Sequence, residues 1–147
     1  MKRILFFLLL IGGYVTDSYG QAQVKKGVIV LDSIYSEHLE NKMGENPTRA
    51  ISVYLPPGYD KSDQRYPVVY FLHGFSGNHI IPGIQEVLDH AINTNRIRPF
   101  IWVISDQKTT YGGSFYSNSG VFGNWEDFTV HDFVSHVDKN YRTIPKK

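Results

Sequence analysis

Pro67-Val68-Val69-Tyr70-Phe71-Leu72-His73-Gly74-Phe75-Ser76-Gly77 is the stretch that decides how this chain reads. From Tyr66 to Leu72 the residues are apolar without alternation. A strand with one wet face alternates with period two, whereas an unbroken apolar run predicts a strand covered on both faces, central and parallel. The run then meets His73 to Gly77, a turn with two glycines. Gly74 is expected to let the backbone turn sharply with no Cβ in the way, and Gly77 to help shape the same turn.

Downstream, Ile84 to Asn95 reads as a helix, with Ile84, Val87, Leu88 and Ala91 at helical spacing and Ile92 beside them. Pro99 to Ile104 is a second fully apolar strand, ending at Ser105-Asp106. Strand, helix, strand predicts a βαβ unit with parallel strands. Upstream, Gly27 to Ser36 is β-branched and apolar, a strand. Glu37 to Pro47 is polar and closes on the turn signal Gly44-Glu45-Asn46-Pro47. Thr48 to Leu55 alternates, with Arg49 out and Ala50 in, and predicts a half-buried strand that Pro56-Pro57-Gly58 ends. These two strands are expected to pair antiparallel. Gln107 to Asn124 is rich in Gly, Ser, Thr, Tyr and Asn and reads as a long loop. Trp125 to Tyr141 reads as a helix whose apolar stripe is Val130, Phe133, Val134, Val137 and Tyr141. Tyr141 to Lys147 leaves that helix toward the sheet. The fold class is α/β, with about four strands and two helices.

The 147 residues suit one domain at most. Lys2 and Arg3 followed by the apolar Ile4 to Ile11, with Ser18-Tyr19-Gly20 behind, read as a secretory signal over residues 1–20. The apolar run is too short for a membrane span of ~20 residues. Residues 21–147 are then the mature part, secreted or periplasmic. There is no cysteine, which excludes disulfides and thiol chemistry. A formal charge of +1 gives no argument for nucleic acid or an anionic membrane. His131 and His136 are five apart and do not share a helix face as a metal pair needs, while Asp132 and His136, four apart, are within reach of pairing but read first as part of a solvated face. No zinc or calcium pattern occurs.

Three segments in order resemble the esterase D and antigen-85-like branch of the α/β-hydrolases: Ser52-Val53-Tyr54-Leu55-Pro56-Pro57-Gly58-Tyr59, then Tyr66 to Phe75, then Gly123-Asn124-Trp125-Glu126-Asp127-Phe128 with Asp132-Phe133-Val134 and Val137 to Arg142. The resemblance spans Val28 to Pro145. It implies a carboxylic ester hydrolase working through a serine, an acid and a histidine, with no cofactor. Family members include carboxylesterases, feruloyl and acetyl esterases of plant polysaccharides, S-formylglutathione hydrolases and acyltransferases. The nucleophile elbow, Gly-x-Ser-x-Gly, does not occur in the chain. All three catalytic residues are expected beyond Lys147, so the chain reads as the N-terminal part of such an enzyme, truncated before the nucleophile strand and inactive alone.

The resemblance also assigns roles to residues that are present. One oxyanion-hole donor comes from the loop after the third strand, which places it on the backbone N–H of Phe75, with Gly74 shaping the turn. His73 is structural by the same resemblance, and Ser76 follows the wrong strand to be the nucleophile. Tyr111, Tyr116, Asn118 and Trp125 lie on or beside the long loop, where they either line an acyl or sugar pocket or pin the loop to the body. Asp106, at the carboxyl edge of the sheet, either meets ligand or caps the next turn.

In this fold the third strand lies between the fourth and the fifth. Without a fifth, Tyr66 to Leu72 becomes an apolar edge, and such edges invite aggregation. The mature segment alone is therefore expected to be marginal or insoluble. Two other readings stay open: a non-catalytic secreted module that binds carbohydrate through the Tyr-rich loop, and one chain of a split hydrolase. The expected partner is a small-molecule or carbohydrate-linked ester; oligomeric state is not legible.

Overall fold

A computed structural model describes residues 24–40 and 44–145. The expected signal segment, 1–20, lies outside the described residues. Four strands, β1 (Val28–Tyr35), β2 (Thr48–Leu55), β3 (Val68–Phe71) and β4 (Ile101–Ser105), form one sheet in the order β1-β2-β4-β3. β1 and β2 are antiparallel, with Val30 opposite Val53, and β2 is antiparallel to β4, with Val53 opposite Val103. β3 runs parallel to β4, with Tyr70 opposite Val103, and α1 (Ile84–Asn93) connects them. The βαβ unit read from the sequence is thus present.

β4 shows why an unbroken apolar run belongs at the centre. All five of its residues are buried. Ile101 and Val103 join one cluster with Ile51, Val53, Leu39, Trp125, Phe128, Phe133 and Val137. Trp102 and Ile104 join the other, with Tyr54 and with Leu88, Ile84 and Ile92 of α1. The C-terminal helix therefore covers one face of the sheet and α1 the other.

Several expectations are corrected here. β2 is central rather than half-buried, and Arg49 points in, not out. Its guanidinium stacks 5.0 Å from the Trp125 ring centroid, bonds the Asp106 carbonyl through Nε at 2.9 Å and pairs with the Asp106 carboxylate at 3.5 Å. Polarity misled the reading because a long cation can be buried when its donors are all taken. On α1, Val87 faces solvent. The buried polar residue Asp89 instead accepts the Gly27 N–H at 2.8 Å and the Tyr54 hydroxyl at 2.7 Å. Inside the expected loop, Asn118–Ser119 and Gly123–Asn124 pair as a small antiparallel ribbon, β5 and β6.

The C-terminal helix is α-helical over Trp125–Asp127, π-helical over Phe128–Phe133 and α-helical over Val134–Asn140. A π segment bonds i to i+5, so Phe128 and Phe133 share the buried face. Val130, placed in the stripe by a 3.6-residue period, is exposed. Asp132 and His136 do not pair with each other. Asp132 accepts from Ser36 Oγ and pairs with His38 Nδ1 at 2.8 Å, and His136 Nε2 pairs with Asp32 at 2.8 Å. Both pairs tie this helix to the β1 side of the molecule.

β3 reads as a central strand yet lies at the edge of the four-stranded sheet, with Val69 and Phe71 on its open face. Next to it the chain makes one parallel bridge, Tyr66 to Thr143. The Tyr66 N–H donates to the Arg142 carbonyl at 2.8 Å, and the Ile144 N–H donates to the Tyr66 carbonyl at 2.9 Å.

Candidate functional site

The carboxyl ends of the parallel strands β3 and β4 release two segments side by side, where open α/β sheets bind ligands. After β3 come His73 to Gly77. The Gly77 N–H donates to the Gly74 carbonyl at 2.9 Å, closing a four-residue turn. Ser76 is its only residue with positive φ, 61°, which is the pattern of a type II turn. The residue in the left-handed region is therefore Ser76, not Gly74. Gly74 has ordinary φ and open space where a Cβ would stand. Gly77 is the glycine that packing requires, since a Cβ there would lie 3.0 Å from the Gly74 carbonyl oxygen and from His73 Cβ.

The second segment follows β4. The Gln107 N–H donates to His73 Nε2 at 3.0 Å, and His73 Nδ1 lies 2.8 Å from the Gly74 carbonyl oxygen. Nε2 accepts, so Nδ1 carries the proton and donates: the ring is the neutral Nδ1–H tautomer. The Tyr116 hydroxyl donates to the His73 carbonyl at 2.7 Å. Burial raises the Tyr116 phenol above its ordinary value, while the bond to His73 pulls the other way. The Ser76 N–H donates to the Gly112 carbonyl at 3.2 Å. Phe115 and Tyr116 both have positive φ, 55° and 54°. Two successive non-glycine residues in that region cost on the order of 1–3 kcal/mol each, and such strain gathers at functional sites.

Gln107, which the sequence reading passed over, anchors the second segment. It is fully buried, and its Nε2 donates to Ser105 Oγ at 2.9 Å and Thr129 Oγ1 at 3.0 Å. Nothing in residue type or spacing announced it.

Together these residues enclose a cavity of about 320 Å³ lined by His73, Gly74, Phe75, Gln107, Phe115 and Tyr116, among others. At its rim the rings of Phe75 and Phe115 meet with centroids 5.8 Å apart, and both rings are largely exposed. The Gly77 N–H is used inside the turn and the Ser76 N–H on the Gly112 carbonyl of the other segment, but the N–H of Phe75 donates to no group among the described residues. A larger hollow, about 720 Å³, lies at the C-terminal end of α1. Lys25, Arg96 and Arg98 lie among its lining residues, and it holds none of the turn residues.

The four loop residues read as pocket candidates separate. Tyr116 lines the cavity. Tyr111 is exposed beside it and pairs with the Phe122 ring at 5.0 Å. Asn118 Oδ1 accepts the N–H groups of Glu126 and Asp127 at 3.1 and 3.2 Å, capping the C-terminal helix from outside its sequence. Trp125 is 1% exposed, in the core, with its indole N–H on the Phe122 carbonyl at 3.0 Å. Asp106 accepts the Lys108 N–H at 3.0 Å besides its contact with Arg49, a turn-capping role. No group of three or more potential metal ligands occurs among the described residues. Among them, no helix is long and apolar enough to cross a membrane.

The model of the family described as "Putative esterase" matches residues 41–147. The chain belongs to this esterase family. An endo-1,4-β-xylanase/feruloyl esterase of Xylanibacter ruminicola is 32% identical over 112 residues, covering 65% of this chain and 14% of that protein. A solved ferulic acid esterase superposes with a TM-score of 0.69 at 21% identity, covering 81% of this chain and 46% of the other. A feruloyl esterase module from Clostridium thermocellum, complexed with sinapinate, gives a TM-score of 0.58 at 26% identity, covering 80% and 38%. The esterase chain thus spans less than half the length of each of these relatives, and its fold is that of the α/β-hydrolase esterases.

Proposed function

We propose that these residues form the front part of a secreted serine esterase, and that the Phe75 N–H is one of its two oxyanion donors. The observation that carries the reading is an N–H with no acceptor among the described residues, in a held turn, beside a cavity, at the carboxyl end of a parallel strand. When a serine oxygen attacks an ester carbonyl, negative charge moves onto the carbonyl oxygen. Two fixed N–H donors aimed at that oxygen lower the barrier, and losing one costs ~10²–10³ in rate. The second donor, the nucleophile, the acid and the base are assigned to residues outside the 147, since no Gly-x-Ser-x-Gly occurs within them. The parallel bridge at Tyr66 and Thr143 supports a further strand on the open edge of β3.

The substrate is proposed to be an acetyl or feruloyl ester of a carbohydrate. Phe75, Phe115 and Tyr116 offer flat apolar surfaces at the cavity, suited to an aromatic acyl group. Tyr111, exposed beside them, belongs to the same proposed binding surface, whereas Asn118 and Trp125 act through the loop they hold. The test is to treat the full-length protein with a fluorophosphonate, locate the labelled serine, and assay methyl ferulate and 4-nitrophenyl acetate. Labelling at a serine outside residues 1–147 with hydrolysis of either ester is expected. Absence of both labelling and hydrolysis overturns the proposal.

A further inference from the structure

We infer that His73 is a positioning residue that sets the direction of the Phe75 N–H through the peptide unit Gly74–Phe75. This rests on the esterase reading above. The Gly74 carbonyl and the Phe75 N–H belong to one planar peptide, which is trans. In a trans peptide the N–H points opposite to the C=O. The Gly74 oxygen accepts two bonds, from His73 Nδ1 at 2.8 Å and from the Gly77 N–H at 2.9 Å. A carbonyl oxygen has two lone pairs, so both are engaged from within the turn. The plane is thereby fixed, and its N–H is turned away from both donors, with no acceptor among the described residues.

The histidine is itself held at three points. Its Nε2 accepts the Gln107 N–H at 3.0 Å, which fixes the tautomer that leaves Nδ1 as the donor. Its carbonyl accepts the Tyr116 hydroxyl at 2.7 Å. Its ring stands edge-on to Tyr116, with centroids 6.0 Å apart. Gln107 in turn is locked to Ser105 and Thr129. The segment after β4 therefore sets the donor that the segment after β3 presents. A phenylalanine at position 73 would keep a slightly larger aromatic ring in the cluster, but it would release one of the two bonds on the Gly74 oxygen and the acceptor of the Gln107 N–H. The requirement is for a donor at Nδ1 and an acceptor at Nε2, which only the neutral imidazole supplies on one ring.

The experiment is steady-state kinetics of the full-length esterase on 4-nitrophenyl acetate for wild type, His73→Phe and His73→Asn. It is joined to a long-range ¹H–¹⁵N spectrum of the wild-type imidazoles at pH 7.5. A donor misplaced by about 1 Å loses on the order of 10² in rate. His73→Phe should therefore lose about 10²-fold in kcat with KM little changed. His73→Asn, whose amide N–H stands near the Nδ1 position, should recover most of that loss. The spectrum should show His73 protonated on Nδ1 and bare on Nε2. Folded His73→Phe with wild-type kcat overturns the inference, as does an Nε2-protonated ring. If His73→Phe fails to fold, the asparagine variant and the spectrum decide. A wild type that hydrolyses no ester overturns the esterase reading itself, a result distinct from an active wild type indifferent to His73.

Discussion

Replacing Gly112 with alanine tests the packing between the two segments that make the site. Gly112 has φ +106°, where an L side chain is strained, and a Cβ there would stand 2.4 Å from Phe75 Cζ and 2.9 Å from its Cε atoms. The backbone strain costs on the order of 1–3 kcal/mol. Because the Phe75 ring is largely exposed, it can swing aside, so the clash itself is relieved at the expense of the Phe75–Phe115 pair, worth about 0.5–1.5 kcal/mol. Gly112→Ala is thus expected to lower the unfolding free energy of the full-length protein by about 2–4 kcal/mol in chemical denaturation. Gly113→Ala is the control. Its φ is ordinary and its Cβ would lie 3.3 Å from Phe75 Cδ2, so its effect should be much smaller. In a Phe75→Ala background the ring is gone, and Gly112→Ala should cost only the backbone part, ~1–3 kcal/mol. Wild-type stability in Gly112→Ala, or equal losses at 112 and 113, would mean that the Phe75 ring does not constrain position 112.

Asn118→Ala removes a helix cap that bonds two N–H groups and should cost about 1 kcal/mol by the same denaturation assay. The His38 imidazole is raised above its ordinary 6.5, first by its bond to Asp132. Its stabilising contribution is complete below pH 6.5 and is lost as pH rises through the raised value, so His38→Gln should flatten the fall in melting temperature above that pH. Burial pushes the Asp32 carboxyl up, but bonds from His136 and the Ser33 N–H outweigh it and leave the group below its ordinary 3.8. Its contribution is present above that value and fades as pH falls through the lowered one, so Asp32→Asn should blunt acid unfolding. Residues 21–147 expressed alone should be recovered mainly in inclusion bodies, given the open Val69 and Phe71 face of β3. A soluble monomer with a cooperative transition would contradict that.

Much of the fold was legible because it rests on periodicity. Pro99 to Ile104 reads as a fully apolar strand, and β4 is buried on both faces. What was missed has local physical causes. Arg49 hides its charge under Trp125, so polarity at position 49 wrongly implied exposure. A π segment shifts the face of the C-terminal helix, so a 3.6-residue period placed Val130 inside and left out Phe128. β3 carries the composition of a central strand while standing at the edge of the described sheet, a mismatch that the proposed further strand on its open side would resolve. At the site, the turn was readable because an apolar strand ran straight into two glycines. His73 is held by the Gln107 N–H on its ring and the Tyr116 hydroxyl on its carbonyl, 34 and 43 residues away in sequence, and no local pattern records such contacts. Asn118 and Trp125 were grouped with Tyr116 by proximity in the loop, but proximity does not tell a cap or a core side chain from a cavity wall.

The central claim is that the Phe75 N–H receives an oxyanion, and removing that one hydrogen tests it. Phe75 occupies the second position of the turn closed by Gly74 and Gly77, where the fixed φ of proline is well tolerated. Phe75→Pro therefore deletes the donor with little change to the turn, while Phe75→Ala deletes the ring and keeps the donor. With the full-length enzyme and 4-nitrophenyl acetate, Phe75→Pro is expected to lose ~10²–10³ in kcat relative to Phe75→Ala. Equal activity of the folded proline and alanine variants would contradict the account.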